Sequence, residues 1–306
     1  MNRREFVTLT GKGAFGMMGA GMLGQMGWLT AAGGGPADVN VVQGEVSAAA
    51  RKAVEIMGGM SRFVSPGDKV VVKANLGFAS GPESGTTTSP TMIRTIIEMA
   101  LAAGASEVVL VENPVMPIES CWRRSGAAQT LTGLDKFRFV RLTDDSLFKQ
   151  INVHRGKSLT EVGLSTDILE ANVLINLPQA KNHSGSSVSL GLKNLMGVVQ
   201  DRGYYHGNDL EQCIADAATV IPCHLIICDA TRALLTGGPG GPGKVINPGW
   251  VVAGTDIVAI DSYVVGAIPF YNRTTTGPLI RHIAAAYDLN VGQMHPDKIS
   301  VSVNSV

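Results

Sequence analysis

Asp68-Lys-Val-Val-Val-Lys-Ala74, Ser89-Pro90 and Glu107-Val-Val-Leu-Val111 are the segments that decide the fold. The first and third are apolar runs of strand length. Between them Ser89 suits an N-cap and Pro90 the first helical position, and apolar residues recur at helical spacing at positions 93, 96, 97, 100 and 101. A strand, helix and strand of these lengths predict a right-handed crossover between two parallel strands.

The same alternation continues outward from this unit. Strand-like runs occupy residues 137–141, 173–177, 225–228, 250–256 and 299–303. Helical patterns occupy residues 165–171, 189–200, 209–218, 257–267 and 276–287. No repeat or interdomain linker interrupts the chain after residue 37. We therefore predict one large α/β domain over residues 38–306, with a mostly parallel, doubly wound sheet and helices on both faces.

The first 32 residues resemble an export signal rather than part of the fold. Asn2-Arg-Arg-Glu-Phe6 is a twin-arginine pattern, followed by a weakly apolar, Gly- and Met-rich run and the small residues 30–35. We predict a twin-arginine signal peptide over residues 1–32, cleaved near Ala32 or Ala37. The alternative is an N-terminal membrane anchor, although about 16 apolar-run residues fall short of the roughly 20 that span a bilayer.

This signal predicts a periplasmic or extracellular protein, with the Tat translocase as its partner during export and no stable membrane span after cleavage. The whole chain carries 25 basic and 25 acidic residues, and residues 33–306 carry 22 and 24, a net charge of −2. This balance does not indicate a nucleic-acid partner. Any affinity for anions must therefore be local.

The four cysteines show no C-x-x-C spacing: Cys121, Cys213, Cys223 and Cys228. An iron–sulfur cluster or structural zinc site built from these residues alone is not expected. An exported protein could form one or two disulfides, and buried free thiols are the equally good alternative. We leave the cofactor open and keep a divalent metal as one candidate.

The richest stretch for chemistry is Lys181-Asn-His-Ser-Gly-Ser-Ser-Val-Ser-Leu-Gly-Leu-Lys-Asn-Leu-Met-Gly197. It follows the buried strand 173–177, which we expect to end at Pro178. Ligands of open α/β sheets bind beyond the carboxyl ends of the strands. We predict catalytic roles for Lys181, His183 and Lys193 and substrate contact for Asn194, all suited to an anionic ligand.

Other predicted strands also end in polar side chains. Asn75 follows the first strand, Glu112-Asn113 the second, and Asp229 the strand 225–228. We predict that Asn75 binds substrate and that Asp229 joins the catalytic group. Lys73 lies inside an apolar strand, where it either serves a ligand or reaches the sheet edge along its aliphatic stem.

Two loops add further candidates. Thr87 and Thr88 precede the Pro90 helix and could bind an anion at its N-terminus. Arg202 and His206 follow the Lys193 segment and could clamp a carboxylate or phosphate and move a proton. A surface turn explains that second segment equally well.

Two aspartates could hold a divalent metal through oxygen ligands, namely Asp256 and Asp261. Asp256 is also placed as an ordinary N-cap. The glycine-rich loop 237–243 is either a mobile lid or a segment that approaches its neighbours closely.

Six motifs together resemble a known family. They are Lys73-Ala-Asn-Leu76, Thr86-Thr-Thr-Ser-Pro90, Leu177-Pro-Gln-Ala-Lys-Asn-His183, Gly191-Leu-Lys-Asn-Leu-Met-Gly197, Asp229-Ala230 with the Gly-Gly-Pro loop, and Ala253-Gly-Thr-Asp256 through Asp261. In this order they are similar to the domain of unknown function 362 family, over about residues 38–270. The resemblance implies an α/β domain that in some members is fused to a ferredoxin-type module, whose cysteine-rich pattern is not in this sequence. Lys-Asn-His also stands where the family commonly shows Lys-Thr-His.

Three functional hypotheses follow from the sequence. The first is an exported enzyme acting on a small anionic substrate, with Lys181, Lys193 and Arg202 holding a carboxylate or phosphate and His183 as general acid–base. The second is a periplasmic binding or accessory protein of a redox system that carries a metal or an iron–sulfur cluster. The third is a scaffold without catalytic activity.

Overall fold

The computed structural model describes residues 29–30 and 37–306. Apart from Leu29–Thr30, the predicted signal segment therefore lies outside the described residues. Fourteen strands are present in the described part: β1 Leu29–Thr30, β2 Val39–Gln43, β3 Lys69–Ala74, β4 Glu107–Glu112, β5 Phe137–Arg141, β6 Phe148–Asn152, β7 Glu161–Ser165, β8 Val173–Leu177, β9 Gln179–His183, β10 Ser187–Ser189, β11 Leu225–Leu234, β12 Val245–Ile246, β13 Trp250–Gly254 and β14 Ser300–Ser305.

Ten α-helices accompany these strands in the described part of the chain. They are α1 Val46–Ile56, α2 Pro90–Ala102, α3 Ile118–Arg124, α4 Ala127–Thr130, α5 Thr166–Leu169, α6 Gly191–Asn194, α7 Arg202–Gly207, α8 Leu210–Ala218, α9 Ile257–Ala267 and α10 Arg281–Asp288. None of these helices combines the length and apolar character that crossing a bilayer requires.

The central sheet runs in the order β1-β14-β2-β13-β11-β8-β3-β4-β5. Neighbouring strands along this path are parallel, except that β13 is antiparallel to both β2 and β11. The predicted mostly parallel α/β sheet is confirmed, including the pairing of β3 with β4 across α2. The reversed strand β13 was not predicted.

Helices cover both faces of the sheet. Val70 and Val72 of β3 pack in one buried cluster with residues of α1 and α2, whereas Val71 belongs to the other cluster with residues of α8, α9 and α10. Because side chains alternate across a strand, these two clusters lie on opposite faces. This three-layer packing fixes the strand ends, from which the site is built.

One difference from the sequence prediction matters for the site. Residues 179–183, expected as a loop, form strand β9, which pairs antiparallel with β10 and parallel with β11. The chain therefore resumes strand structure after Pro178 instead of ending there. The helix expected over residues 189–200 is also broken, into the end of β10, the short helix α6 and a 3₁₀ turn at Leu195–Val198. Neither β2, α1 nor the β6–β7 hairpin was predicted.

Candidate functional site

A cavity of about 490 Å³ opens at the carboxyl ends of β3 and β4, beside β9. Eight of the predicted site residues line it: Lys73, Asn75, Lys181, His183, Lys193, Asn194, Arg202 and His206. They come from β3 and the loop after it, β9, α6 and α7. The structure thus brings together side chains that are up to 133 positions apart, from Lys73 to His206, although their catalytic or binding roles remain predictions.

A buried ion pair forms the floor of the cavity. Lys73 Nζ lies 3.0 Å from Glu112 Oε2, and both side chains are almost completely buried. Lys73 Nζ also donates to the Ala74 carbonyl, and Glu112 Oε2 accepts the Leu76 N–H at 2.7 Å. Burial lowers the pKa of Lys73, and the Glu112 carboxylate opposes that shift. At 1% exposure the Lys73 ammonium does not extend into solvent, because it pairs with Glu112 inside the protein.

The Glu112 side chain was noted as a strand end in the sequence but not assigned to the site. A parallel pairing explains its position, since Lys73 and Glu112 both lie where β3 and β4 end. Gly197 permits this close approach, because a Cβ atom there would lie 2.3 Å from both Lys73 Cε and Glu112 Oε1.

Lys181 is held above this floor by β9. Its Nζ donates to Thr86 O at 2.7 Å and to Asn75 Oδ1 at 3.0 Å, and it lies 4.5 Å from the centroid of the Phe78 ring. Burial lowers the pKa of Lys181 to about 7, with Lys193 and Lys73 adding to the shift and Glu112 opposing it. The amine can therefore carry or release a proton near neutral pH.

Lys193 is buried without a strong acceptor among the described residues. Its exposure is 8%, and its Nζ donates to the thioether Sδ of Met196 at 3.0 Å, which is a weak acceptor. Burial lowers its pKa to about 8, and Arg202 contributes while Glu211 opposes. Arg202 Nη2 donates to Pro114 O at 2.5 Å, and burial also lowers its pKa. The Lys193 ammonium thus has donor capacity for a ligand oxygen.

His183 lies on the same face of β9 as Lys181, two residues further on. Its Nδ1 accepts N–H groups of Gly185 at 3.0 Å and Ser186 at 3.2 Å, so the ring proton resides on Nε2. Burial, followed by the charges of Lys193 and Lys181, lowers the pKa of His183 to about 3. The imidazole is therefore neutral and carries an N–H group at Nε2, with the His206 ring stacked 6.4 Å away between centroids.

Positive charge dominates this cavity. Of the described residues that line it, four are cationic (Lys73, Lys181, Lys193 and Arg202), and the carboxylate is Glu112, which already pairs with Lys73. Repulsion among three remaining cations and their desolvation both favour an added anion.

Three of the predicted catalytic and substrate-binding residues do not line the cavity. Asp229 lies inside β11 and accepts N–H groups of Ser89 at 2.8 Å and Thr231 at 3.1 Å. The carboxylate thus accepts a backbone N–H group at the N-terminus of helix α2, where the Ser89 side chain makes no capping hydrogen bond. Thr88 Oγ1 donates to Leu177 O, and the buried Thr87 hydroxyl has no hydrogen-bond partner within the part of the chain that the structure describes. Asp229, Thr87 and Thr88 therefore shape the wall behind the site instead of facing its opening.

The two aspartates predicted to bind metal serve as helix caps. Asp256 accepts Val258 N and Ala259 N at the start of α9, and Asp261 accepts Gly191 N at 2.8 Å and Leu192 N at 2.9 Å at the start of α6. Burial raises the pKa of Asp261 to about 7. No group of three or more His, Cys, Asp or Glu side chains that could hold a metal occurs within residues 29–30 and 37–306. Both carboxylates thus have a structural role as helix caps, and metal binding by Asp256 and Asp261 stays a prediction.

The glycine-rich loop is a close-approach segment. Gly238 N donates to Asn182 Oδ1 at 2.8 Å, and a Cβ atom on Gly238 would lie 2.0 Å from the Asn182 carbonyl oxygen. Pro239 of this loop lines the cavity. The four cysteines are free thiols, three of them buried, so the disulfide alternative is not supported.

The sequence analysis did not assign several lining residues to the site: Gly77, Phe78, Val115, Ser184, Ser189, Met196, Gly203 and Pro239. Most of them lie one to three positions from a predicted site residue, and this proximity in sequence is the signal that could have identified them.

A family model matches residues 70–266, a range that contains every lining residue. The chain belongs to the family described as a domain of unknown function, DUF362. The chain is similar to a thylakoid-associated protein of Synechocystis sp., with 28% identity over 232 residues, 71% of this chain and 68% of the relative being covered.

Two solved structures are similar at low identity. One is the lactate racemase apoprotein from Thermoanaerobacterium thermosaccharolyticum, with 12% identity, a TM-score of 0.44 and 70% of this chain covered. The other is a protein from Thermotoga maritima, with 11% identity, a TM-score of 0.40 and 63% of this chain covered. The DUF362 chain spans about half the length of each, 53% and 52% respectively.

Proposed function

We propose that this DUF362 protein is an exported enzyme. It would bind a small carboxylate or phosphate in the cavity and transfer a proton to or from that substrate. The observation that carries the proposal is the Lys193 ammonium, buried beside Arg202 with a thioether as its acceptor. A buried cation in that state is costly, and an anion supplies the missing charge and acceptor oxygens.

The residues would divide the chemistry as follows. Lys193 and Arg202 would hold the anionic group, since neither is neutralised by a nearby carboxylate in a salt bridge within the described residues. Lys181, whose pKa is about 7, would take or give the proton, because a catalytic group works best with a pKa near the working pH.

The role of His183 changes from the sequence-based hypothesis. An imidazole with a pKa of about 3 is a poor base near neutral pH, whereas its Nε2–H can donate to a developing negative charge. We therefore assign His183 to stabilise an oxyanion on the substrate and Lys181 to move the proton. Asn75 and Asn194 would orient Lys181 and Lys73, to which their amide oxygens are hydrogen-bonded at 3.0 and 3.5 Å.

Binding of small anions tests this proposal. Calorimetric titration with acetate, pyruvate and inorganic phosphate near neutral pH should show saturable binding by the wild-type protein. Lys193→Met should weaken binding by roughly tenfold to a hundredfold, as expected for loss of a buried charge-assisted hydrogen bond of about 1.5–3 kcal/mol.

The matched control is Lys149→Met, which removes an exposed lysine on β6 away from the cavity. This variant should bind as the wild type does. Absence of saturable binding for all three anions, or equal binding by Lys193→Met, would contradict the proposal.

A further inference from the structure

Part of the cavity wall is apolar and lies beside the cations, since the Phe78 ring centroid is 4.5 Å from Lys181 Nζ and Met196 Sδ is 3.0 Å from Lys193 Nζ. Phe78, Val115, Met196 and Pro239 all line the same space. A cavity of about 490 Å³ lies within the range of roughly 300–1,000 Å³ that accommodates whole organic ligands. It is therefore larger than acetate or phosphate requires.

The apolar wall is held rigidly by its neighbours. Val115 N and Met116 N both donate to Gly77 O at 3.1 Å, which joins the loop after β4 to the loop after β3. Phe78 is placed between the Lys181 ammonium, 4.5 Å from its centroid, and Gly240, where a Cβ atom would lie 3.0 Å from Phe78 Cδ1. The backbone at Val115 and the ring of Phe78 are thus each held by neighbouring groups.

At the mouth this wall remains open to solvent. Val115 is 62% exposed and the adjacent Met116 is 43% exposed, even though their backbone is tied down. Single exposed apolar residues are common on protein surfaces and need no explanation. Val115 and Met116 differ from such single residues because they extend the apolar surface of a cavity that also contains cations. This combination indicates an apolar subsite beside the anion-binding groups.

We propose that the natural ligand is a free amphipathic acid, in which a carboxylate or phosphate is joined to an apolar group. The acidic group would contact Lys193 and Arg202, and the apolar group would pack against Phe78, Met196 and Val115. This inference rests on the proposed anion binding and specifies the substrate class.

A chain-length series tests the apolar subsite. Titration with acetate, butyrate, hexanoate and octanoate should tighten the Kd by roughly three- to fourfold for each methylene that becomes buried, until the cavity is filled. Val115→Ser should flatten this series, with a larger loss for octanoate than for acetate. Val303→Ser, at an exposed valine of strand β14 that does not line the cavity, is the matched control and should keep the wild-type series.

The outcomes separate the two proposals. Failure of every acid, acetate included, would overturn the proposed anion binding. Saturable binding of acetate with no gain along the series would leave anion binding intact and overturn the apolar subsite. A lipid presents the same chemistry, so sedimentation with phosphatidylglycerol vesicles is the second arm. Retention on the vesicles without any chain-length gain in solution would overturn the free acid as ligand.

Discussion

The Lys73–Glu112 pair is the residue-scale feature on which the cavity depends. Its two charges lie 3.0 Å apart at side-chain exposures of 1% and 4%. Buried pairs add little net stability compared with an apolar replacement, but removal of one partner leaves an uncompensated charge. The pair therefore constrains the floor of the site more than it strengthens the fold.

Glu112→Gln should lower the free energy of unfolding by about 3–5 kcal/mol, because Lys73 would remain buried without its counter-charge. Denaturant unfolding monitored by circular dichroism measures this change. The matched control is Glu107→Gln on the same strand, where Glu107 pairs with Arg138 at exposures of 36% and 42%. That surface pair should contribute less than about 1 kcal/mol. Equal losses in the two variants would contradict the account.

Individual residues of the site could be predicted because their chemistry conflicts with their sequence context. Lys73 interrupts an apolar strand, and Lys181 and His183 follow one, so each required an explanation beyond packing. Asp229 does not line the cavity, and its carboxylate instead accepts the Ser89 N–H group at a neighbouring helix. Phe78 and Met196 carried no comparable conflict, since apolar residues are expected throughout the chain.

At the scale of elements, Asp261 connects two helices. It lies in α9 and accepts the first N–H groups of α6, from Gly191 and Leu192, which sets the position of Lys193. A helix as short as α6 is not stable alone and depends on such a cap. The carboxylate is buried, and its pKa is raised to about 7.

This shift gives Asp261 a defined pH dependence. Between its unfolded pKa near 3.8 and its folded pKa of about 7, the folded state holds a proton that the unfolded state releases. Stability contributed by Asp261 should therefore fall as the pH rises from about 4 to about 7. The unfolding free energy of the wild type relative to Asp261→Asn, measured in denaturant across this range, should decrease; a constant or rising difference would contradict the assignment.

Elements with strong local patterns were predictable, and those specified by tertiary contacts were not. The β3–α2–β4 unit combines apolar strands, a proline at the first helical position and helical periodicity. Strand β9 is composed of Gln, Ala, Lys, Asn and His, and it forms because β10 and β11 supply pairing on either side. The antiparallel direction of β13 is likewise decided by its neighbours β2 and β11.

At the scale of the whole molecule, a chain with equal numbers of acidic and basic residues concentrates cations in one cavity. The sheet explains how this arises. Parallel neighbours β3 and β4 end at the same edge, and β9 extends β8 past that edge. Cationic side chains that are remote in sequence therefore meet in the cavity, although the chain has no excess of basic over acidic residues.

Export, if it occurs, involves the whole chain and depends on the predicted signal at its N-terminus. If residues 1–32 are a twin-arginine signal, replacement of Arg3 and Arg4 by lysine should leave the full-length protein in the cytoplasm, since this pathway depends on the arginine pair. Fractionation and immunoblotting of the native host measure the distribution. Arg51→Lys, at an exposed position of α1, is the control and should be exported normally. Unchanged export of the double variant would contradict the predicted signal.

The pH dependence of acetate binding tests whether the buried ammonium groups of the cavity hold the anion. Acetate is an anion from about pH 6 to about pH 9. The ammonium groups of Lys181 and Lys193, in contrast, lose their protons around pH 7 and pH 8, respectively. Calorimetry should give the tightest binding near pH 6 and, above about pH 8, a loss of affinity of up to about tenfold for each pH unit and each proton linked. Proton uptake should accompany binding near pH 8. An affinity that stays constant from about pH 6 to about pH 9, or no saturable binding at about pH 6, would contradict a cavity whose buried ammonium groups hold the anion.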